Sequence, residues 1–224
     1  MERTIKVTGK GKISVKPDTI RLLIKQESIV GDYLDAIKES ADRKAQLTEA
    51  LSRQGFEKEE IKTLYFNVDT EYESYQAKDR SWKSRFLGYK YTHRMKIEFP
   101  ADNERLGKVL GALGRCPGEP EFTIQYTVSD PESAKNELLA KAVEDSKAKA
   151  DVLSSAAGVG LGDIISIDYS WGELEIYSRP MGGDMLKSCC EYDCAEESVD
   201  IDIEPDDIDI TDTVTVLWAI KQAS

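Results

Sequence analysis

Residues 4 to 16 read TIKVTGKGKISVK, with apolar or glycine positions alternating with polar ones without a break. Ile5, Val7, Gly9, Gly11, Ile13 and Val15 share one face, and Thr4, Lys6, Thr8, Lys10, Lys12, Ser14 and Lys16 share the other. A period of two is a strand covered on one side only, so the chain must begin in a sheet that carries a covering layer. Both glycines fall on the covered face. A phosphate loop would instead place its glycines after the strand and run into a helix. Here Pro17-Asp18 opens a turn and a second strand follows, with Ile20, Leu22 and Ile24 on one side. Inward glycines in a strand mark a bulge, a bend or the close approach of a packed helix.

Helices follow at readable stops. Asp32 is a cap for a helix running to Gly55, with Leu34, Ile37, Ala41, Ala45, Thr48 and Leu51 as its expected inner stripe. Asp102 caps a short helix bearing Leu106, Val109, Leu110 and Leu113, and Asp130-Pro131 opens a long one ending at Gly158. Between them lie two long strands. Leu64, Phe66, Val68 and Tyr72 define one face of the first, and Leu87, Tyr89, Tyr91, His93, Met95 and Ile97 define one face of the second. Their linker QAKDRSWKSR is polar and expected to be exposed. Further strands are expected around Phe122–Val128, around Ile165, Ile167, Tyr169 and Trp171, and at the end around Val214, Val216, Trp218 and Ile220. Residues 41 to 63 align with 142 to 166 at a shift of 103, through either an internal repeat or the shared composition of two Ala/Lys-rich helices.

The predicted fold class is therefore α+β: antiparallel sheet packed with two long helices and one short helix. The expected organisation is one domain over residues 1–224, with two pseudo-repeat halves (about 1–100 and 101–224) as an option. An acidic, cysteine-containing insertion is expected at 178–205.

The formal net charge is −12, and eleven acids without a single Lys or Arg stand between residues 188 and 220. The remainder is close to neutral. No basic stripe presents a footprint for nucleic acid or anionic lipid. No run of 18 apolar residues predicts a membrane span, and residues 1–10 contain no apolar signal core. The sequence as it stands thus reads as cytoplasmic, or as periplasmic if a signal peptide has been removed.

Candidate chemistry is sparse. His93 is the only histidine and stands in register with apolar neighbours, so an inward, structural role is expected. Cys189, Cys190 and Cys194 sit beside Glu191 and Asp193, and Cys116 lies elsewhere in the chain. Three thiolates suit a soft metal or a redox switch. Against this, C-C-x-x-x-C is not zinc-knuckle spacing, and neighbouring acids disfavour the thiolate. Free, reduced thiols are the expectation, with a metal- or redox-responsive protein as the alternative. The DIDIEPDDIDITD stretch lacks the glycine and glutamate of a calcium loop, with Pro205 and Thr211 in their places. Its alternation suggests strand acids that guard a sheet edge. No nucleophile–base pair emerges, so no catalytic residue and no cofactor are assigned.

The ordered set IKVTGKGKISVKPDTIRLLI, LSRQGFEKEEIKT, GYKYTHRMKIEF, AVEDSKAKADVLSSAAGVGLGDIISI and IDITDTVTVLWAI resembles the SIMPL-domain family. The resemblance covers nearly the whole chain except 178 to about 204. It implies helices on antiparallel sheet and large homo-oligomers. It also implies, for many bacterial members, a periplasmic or outer-membrane setting with links to oxidative-stress tolerance. It carries no established catalytic residue. The resulting expectation is a non-enzymatic module that self-assembles and can bind a protein partner.

Overall fold

The structure, a computed structural model, describes residues 3–78, 80–169, 176–178 and 203–222. Its strands are β1 (Thr4–Val15), β2 (Thr19–Val30), β3 (Lys62–Gln76), β4 (Trp82–Pro100), β5 (Glu121–Thr127), β6 (Val159–Asp168) and β7 (Ile208–Gln222). Its helices are α1 (Tyr33–Ser52), α2 (Asn103–Gly114) and α3 (Pro131–Ala156), with a 3-10 turn at Lys58–Glu60. The chain is α+β, and every pairing given below is antiparallel.

Two compact units form. The first draws on Met1–Asp18, Thr127–Ser178 and Asp206–Ser224 and holds a sheet of order β1-β7-β6. β1 and β7 pair from Thr4↔Ala219 to Val15↔Ile208 with no shift of register. Helix α3 covers this sheet. It presents Ala134, Leu138, Ala142, Ser146, Ala150 and Ser154, one buried residue every fourth position, and most of them are small. Small residues allow the helix to lie against Gly9 and Gly11. A Cβ at Gly11 would stand 3.1 Å from the Ala142 nitrogen, and one at Gly9 would strike the Ala142 carbonyl. Close helix approach is therefore what the two glycines serve, and no bulge interrupts the strand. On the free edge of β1, the Lys10 N–H donates to the Asp145 carboxylate at 2.6 Å, and the Lys149 ammonium donates to the Thr8 carbonyl at 3.4 Å. The Pro17-Asp18 turn is tied down by its own carboxylate, which accepts from the Ser129 N–H and hydroxyl, both at 2.7 Å.

The second unit comprises Thr19–Tyr126 and Arg179–Pro205, with sheet order β3-β4-β2-β5. Ile20, Leu22 and Ile24 of β2 and Met95, Ile97 and Phe99 of β4 join Leu47 and Leu51 of α1 in one core. Leu106, Val109, Leu110 and Leu113 of α2 enter the same core, as the spacing of that helix predicts. All three expected caps are present: Asp32 accepts from Leu34 N–H, Asp102 from Glu104 and Arg105, and Asp130 from Ser133.

Several expectations are corrected. Helix α1 buries Ala36, Ser40, Leu47 and Leu51, so of the expected stripe only Leu51 is fully inside, and Leu34 is 61% exposed. The sheet selects a face with small residues in its first half, which turns Leu34 and Ile37 outward. The linker QAKDRSWKSR is exposed as expected, but half of it, Gln76 and Trp82–Arg85, belongs to the ladder. β3 and β4 pair out to Gln76↔Trp82, and the chain reverses through a tight turn in which the Ala77 N–H donates to the Ser81 carbonyl at 2.8 Å. Of the expected edge acids, Asp200 and Asp202 lie outside the described residues, and Glu204 precedes β7; Asp209 and Asp212 lie on β7, the central strand of its sheet, and guard no edge there. Asp209 instead pairs with Lys12 of β1 at 3.0 Å.

Candidate functional site

β4 outruns its neighbour. The β2–β4 ladder ends at Val30↔Tyr89, whereas β3 and β4 continue together past Gly88. At the parting point Gly88 has φ +150° and lies against the Val30 backbone, where a Cβ would meet the Val30 carbonyl carbon at 3.0 Å. Beside it the register shifts between Glu71 and Tyr72, leaving Leu87 bulged. A bulge with a glycine re-aims a strand, and here it releases a two-stranded ribbon from the four-stranded sheet.

The ribbon is amphipathic. Register pairs place Asp69, Glu71 and Glu73 of β3 on one face with Lys83, Arg85 and Lys90 of β4. Cross-strand attraction holds this face, with Arg85 and Glu73 2.6 Å apart. Towards the sheet the charge lattice continues through Glu27, which meets Lys25 at 2.9 Å and Lys90 at 3.2 Å. Hydrogen bonding from Lys25 draws the Glu27 carboxyl below its ordinary pKa against the opposing cost of burial.

The other face continues the side of the sheet that α1 covers, but it extends beyond the helix. Tyr72 meets Phe86 edge to face at 5.5 Å between ring centroids, Phe86 meets Tyr89 at 5.4 Å, and Tyr89 meets Tyr33 at the start of α1 at 5.5 Å. Trp82, paired opposite Gln76, is 72% exposed. Tyr33, Tyr72 and Phe86 are each about half exposed. This run of rings is the most conspicuous surface feature of the described residues.

His93 is where the sequence places it, facing inward and 6% exposed. Ser40 Oγ lies 3.3 Å from its Nδ1, Thr63 Oγ1 lies 3.0 Å from its Nε2, and Phe66 stacks edge to face at 5.2 Å. Two hydroxyls, each able to donate or accept, satisfy either neutral tautomer. Burial pushes the imidazole below its ordinary pKa, and the Lys44 charge pushes it further. A general base is oriented by a carboxylate, whereas the charge felt here is cationic, and Ser40 is itself buried. The geometry is that of a satisfied interior histidine. Sequence reading anticipated the burial but not the two hydroxyl partners, which come from α1 and β3.

Cys116 is buried, its Sγ 3.8 Å from the Pro117 carbonyl oxygen, and burial pushes its thiol pKa up. It borders a depression of about 280 Å³ between α1 and α2 that also involves Glu49, Arg53 and Arg115. Cys189, Cys190 and Cys194, the candidate metal ligands, lie outside the described residues. Among the described residues no group of three or more metal-binding side chains converges, and no helix is long and apolar enough to cross a membrane.

The chain belongs to the SIMPL family, described as proteins of unknown function, whose family model matches residues 5–218. It is similar to the 26 kDa periplasmic immunogenic protein of Brucella melitensis, at 24% identity over 166 residues covering 73% of this chain and 65% of that protein. The protein of the same name from Brucella abortus matches to the same extent, also at 24% identity over 166 residues. The chain thus spans about 65% of the length of these curated relatives.

Proposed function

We propose that this protein is a non-enzymatic SIMPL-type module that acts by self-assembly, with a protein partner as a further occupant of the same surfaces, in a periplasmic, stress-related setting. The observation that carries the reading is the uncovered aromatic face of the β3–β4 ribbon. An isolated two-stranded ribbon is marginally stable in water. Exposed aromatic surface of this size marks interaction sites. Among the described residues, β3 and β5 end the four-stranded sheet and offer strand edges suited to strand addition. The non-enzymatic part is supported by the commitment of the single histidine to Ser40 and Thr63 within the interior. The periplasmic setting is supported by the similarity to the Brucella periplasmic immunogenic proteins.

Multi-angle light scattering on the full chain tests self-assembly. The reading predicts a mass that is a multiple of 25.1 kDa at micromolar concentration. A single-chain mass throughout that range overturns it.

A further inference from the structure

We infer that the aromatic face of the β3–β4 ribbon is a homotypic interface, packing against the same face of a second copy of this chain. This rests on the self-assembly reading and assigns it a surface.

The first argument is the placement of charge. The acids and bases of the ribbon lie on the opposite face, where Glu73 and Arg85 already pair. The face that carries Tyr72, Phe86, Tyr89 and Trp82 presents aromatic rings with the small polar side chains of Thr70, Ser74 and Ser84 between them. Two such faces can meet without burying a charge. Interface cores are depleted in charged residues and enriched in Tyr, Trp and Phe, which is the composition found here.

The second argument is area. An aromatic side chain buries roughly 150–250 Å² when covered. Tyr33, Tyr72, Phe86 and Trp82 are 48%, 56%, 45% and 72% exposed. Together they offer on the order of 400 Å². Leu34 and Ile37, in the first turns of α1 that begins at Tyr33, are exposed as well, at 61% and 38%. The four rings alone account for about half of the ~800 Å² that each partner of a standard interface buries. A two-fold axis through the face makes the contact isologous, so one surface serves both copies. The ribbons then form two layers about 10 Å apart, the spacing of face-packed sheets. A ribbon that is marginal alone acquires the second layer it lacks.

The test uses the full chain and three variants, with association followed by sedimentation velocity and folding by circular dichroism. Tyr72→Thr combined with Phe86→Thr removes two central rings while keeping β-branched strand formers. Trp82→Thr removes the most exposed ring and leaves the rest of the ribbon intact. Tyr75→Thr alters the opposite, charged face. The expected result is association weakened at least tenfold by the first two changes and unaltered by the third. If the first variant fails to fold, Trp82→Thr alone carries the decision. Wild-type protein that assembles while both face variants assemble equally well overturns this interface and leaves self-assembly standing. A wild-type chain that is a monomer at every concentration overturns both.

Discussion

Gly9 of β1 and Ala142 of α3 touch backbone to backbone, and a Cβ on the glycine would collide with the alanine's carbonyl oxygen and lie 2.7 Å from the Ser146 Cβ. Helix and strand can come this close only because neither side carries bulk at the crossing. Gly9→Ala must therefore move the helix or the strand, and overpacking of this kind costs about 3 kcal/mol. Gly31, around which a Cβ would meet nothing within 4 Å, is the control. Denaturant unfolding should show a large loss for Gly9→Ala and Gly11→Ala and almost none for Gly31→Ala. Equal stability in all three would refute the close approach.

The buried histidine gives a pH signature. His93 is held neutral, with its folded pKa below the ~6.5 of an unfolded chain. Below about 6.5 the unfolded state binds the proton first, so stability falls as pH drops from there towards the folded value. His93→Gln removes that titration. The stability advantage of the wild type over the variant should shrink as pH falls from 7.5 to 5.5. A gap that stays constant over that range would contradict a neutral buried imidazole.

Tyr126 is almost wholly buried, and its hydroxyl has no hydrogen-bond partner among the described residues. A buried hydroxyl without a partner costs free energy, so Tyr126→Phe should be neutral or stabilising by about 1 kcal/mol. Thermal melting checks this. A loss of more than 1 kcal/mol would show that the hydroxyl is bonded.

Much of the fold is legible in the residues, and the errors share one physical origin. The α2 stripe, the three aspartate caps and the β1 alternation each follow from local chemistry, and the structure keeps them. Periodicity also places Phe66, Val68 and Tyr72 on one face correctly, whereas Leu64 falls at a shift of register and Thr63 stands opposite Met95 in its stead. The pattern says nothing of whether anything covers that face, and Phe66 and Tyr72 are 46% and 56% exposed. The pairing within the QAKDRSWKSR linker leaves no trace in the pattern, because β3 buries no residue and so shows no inward side to detect. The alternation of β7 likewise shows which side chains point out, but not that the strand is central. The α1 stripe fails because Ala36 and Ser40, small enough to sit against the sheet, win over the larger Leu34 and Ile37. The candidate site was accordingly the least legible part: it consists of residues whose pattern announces burial and whose surroundings withhold it.

Amide hydrogen exchange across residues 70–76 and 82–88, compared between dilute and concentrated protein, tests the central claim most directly. A ribbon that packs on a second copy should be protected at high concentration and should lose that protection on dilution, while the β2–β4 ladder stays protected throughout. Fast exchange in the ribbon at every concentration would contradict the account.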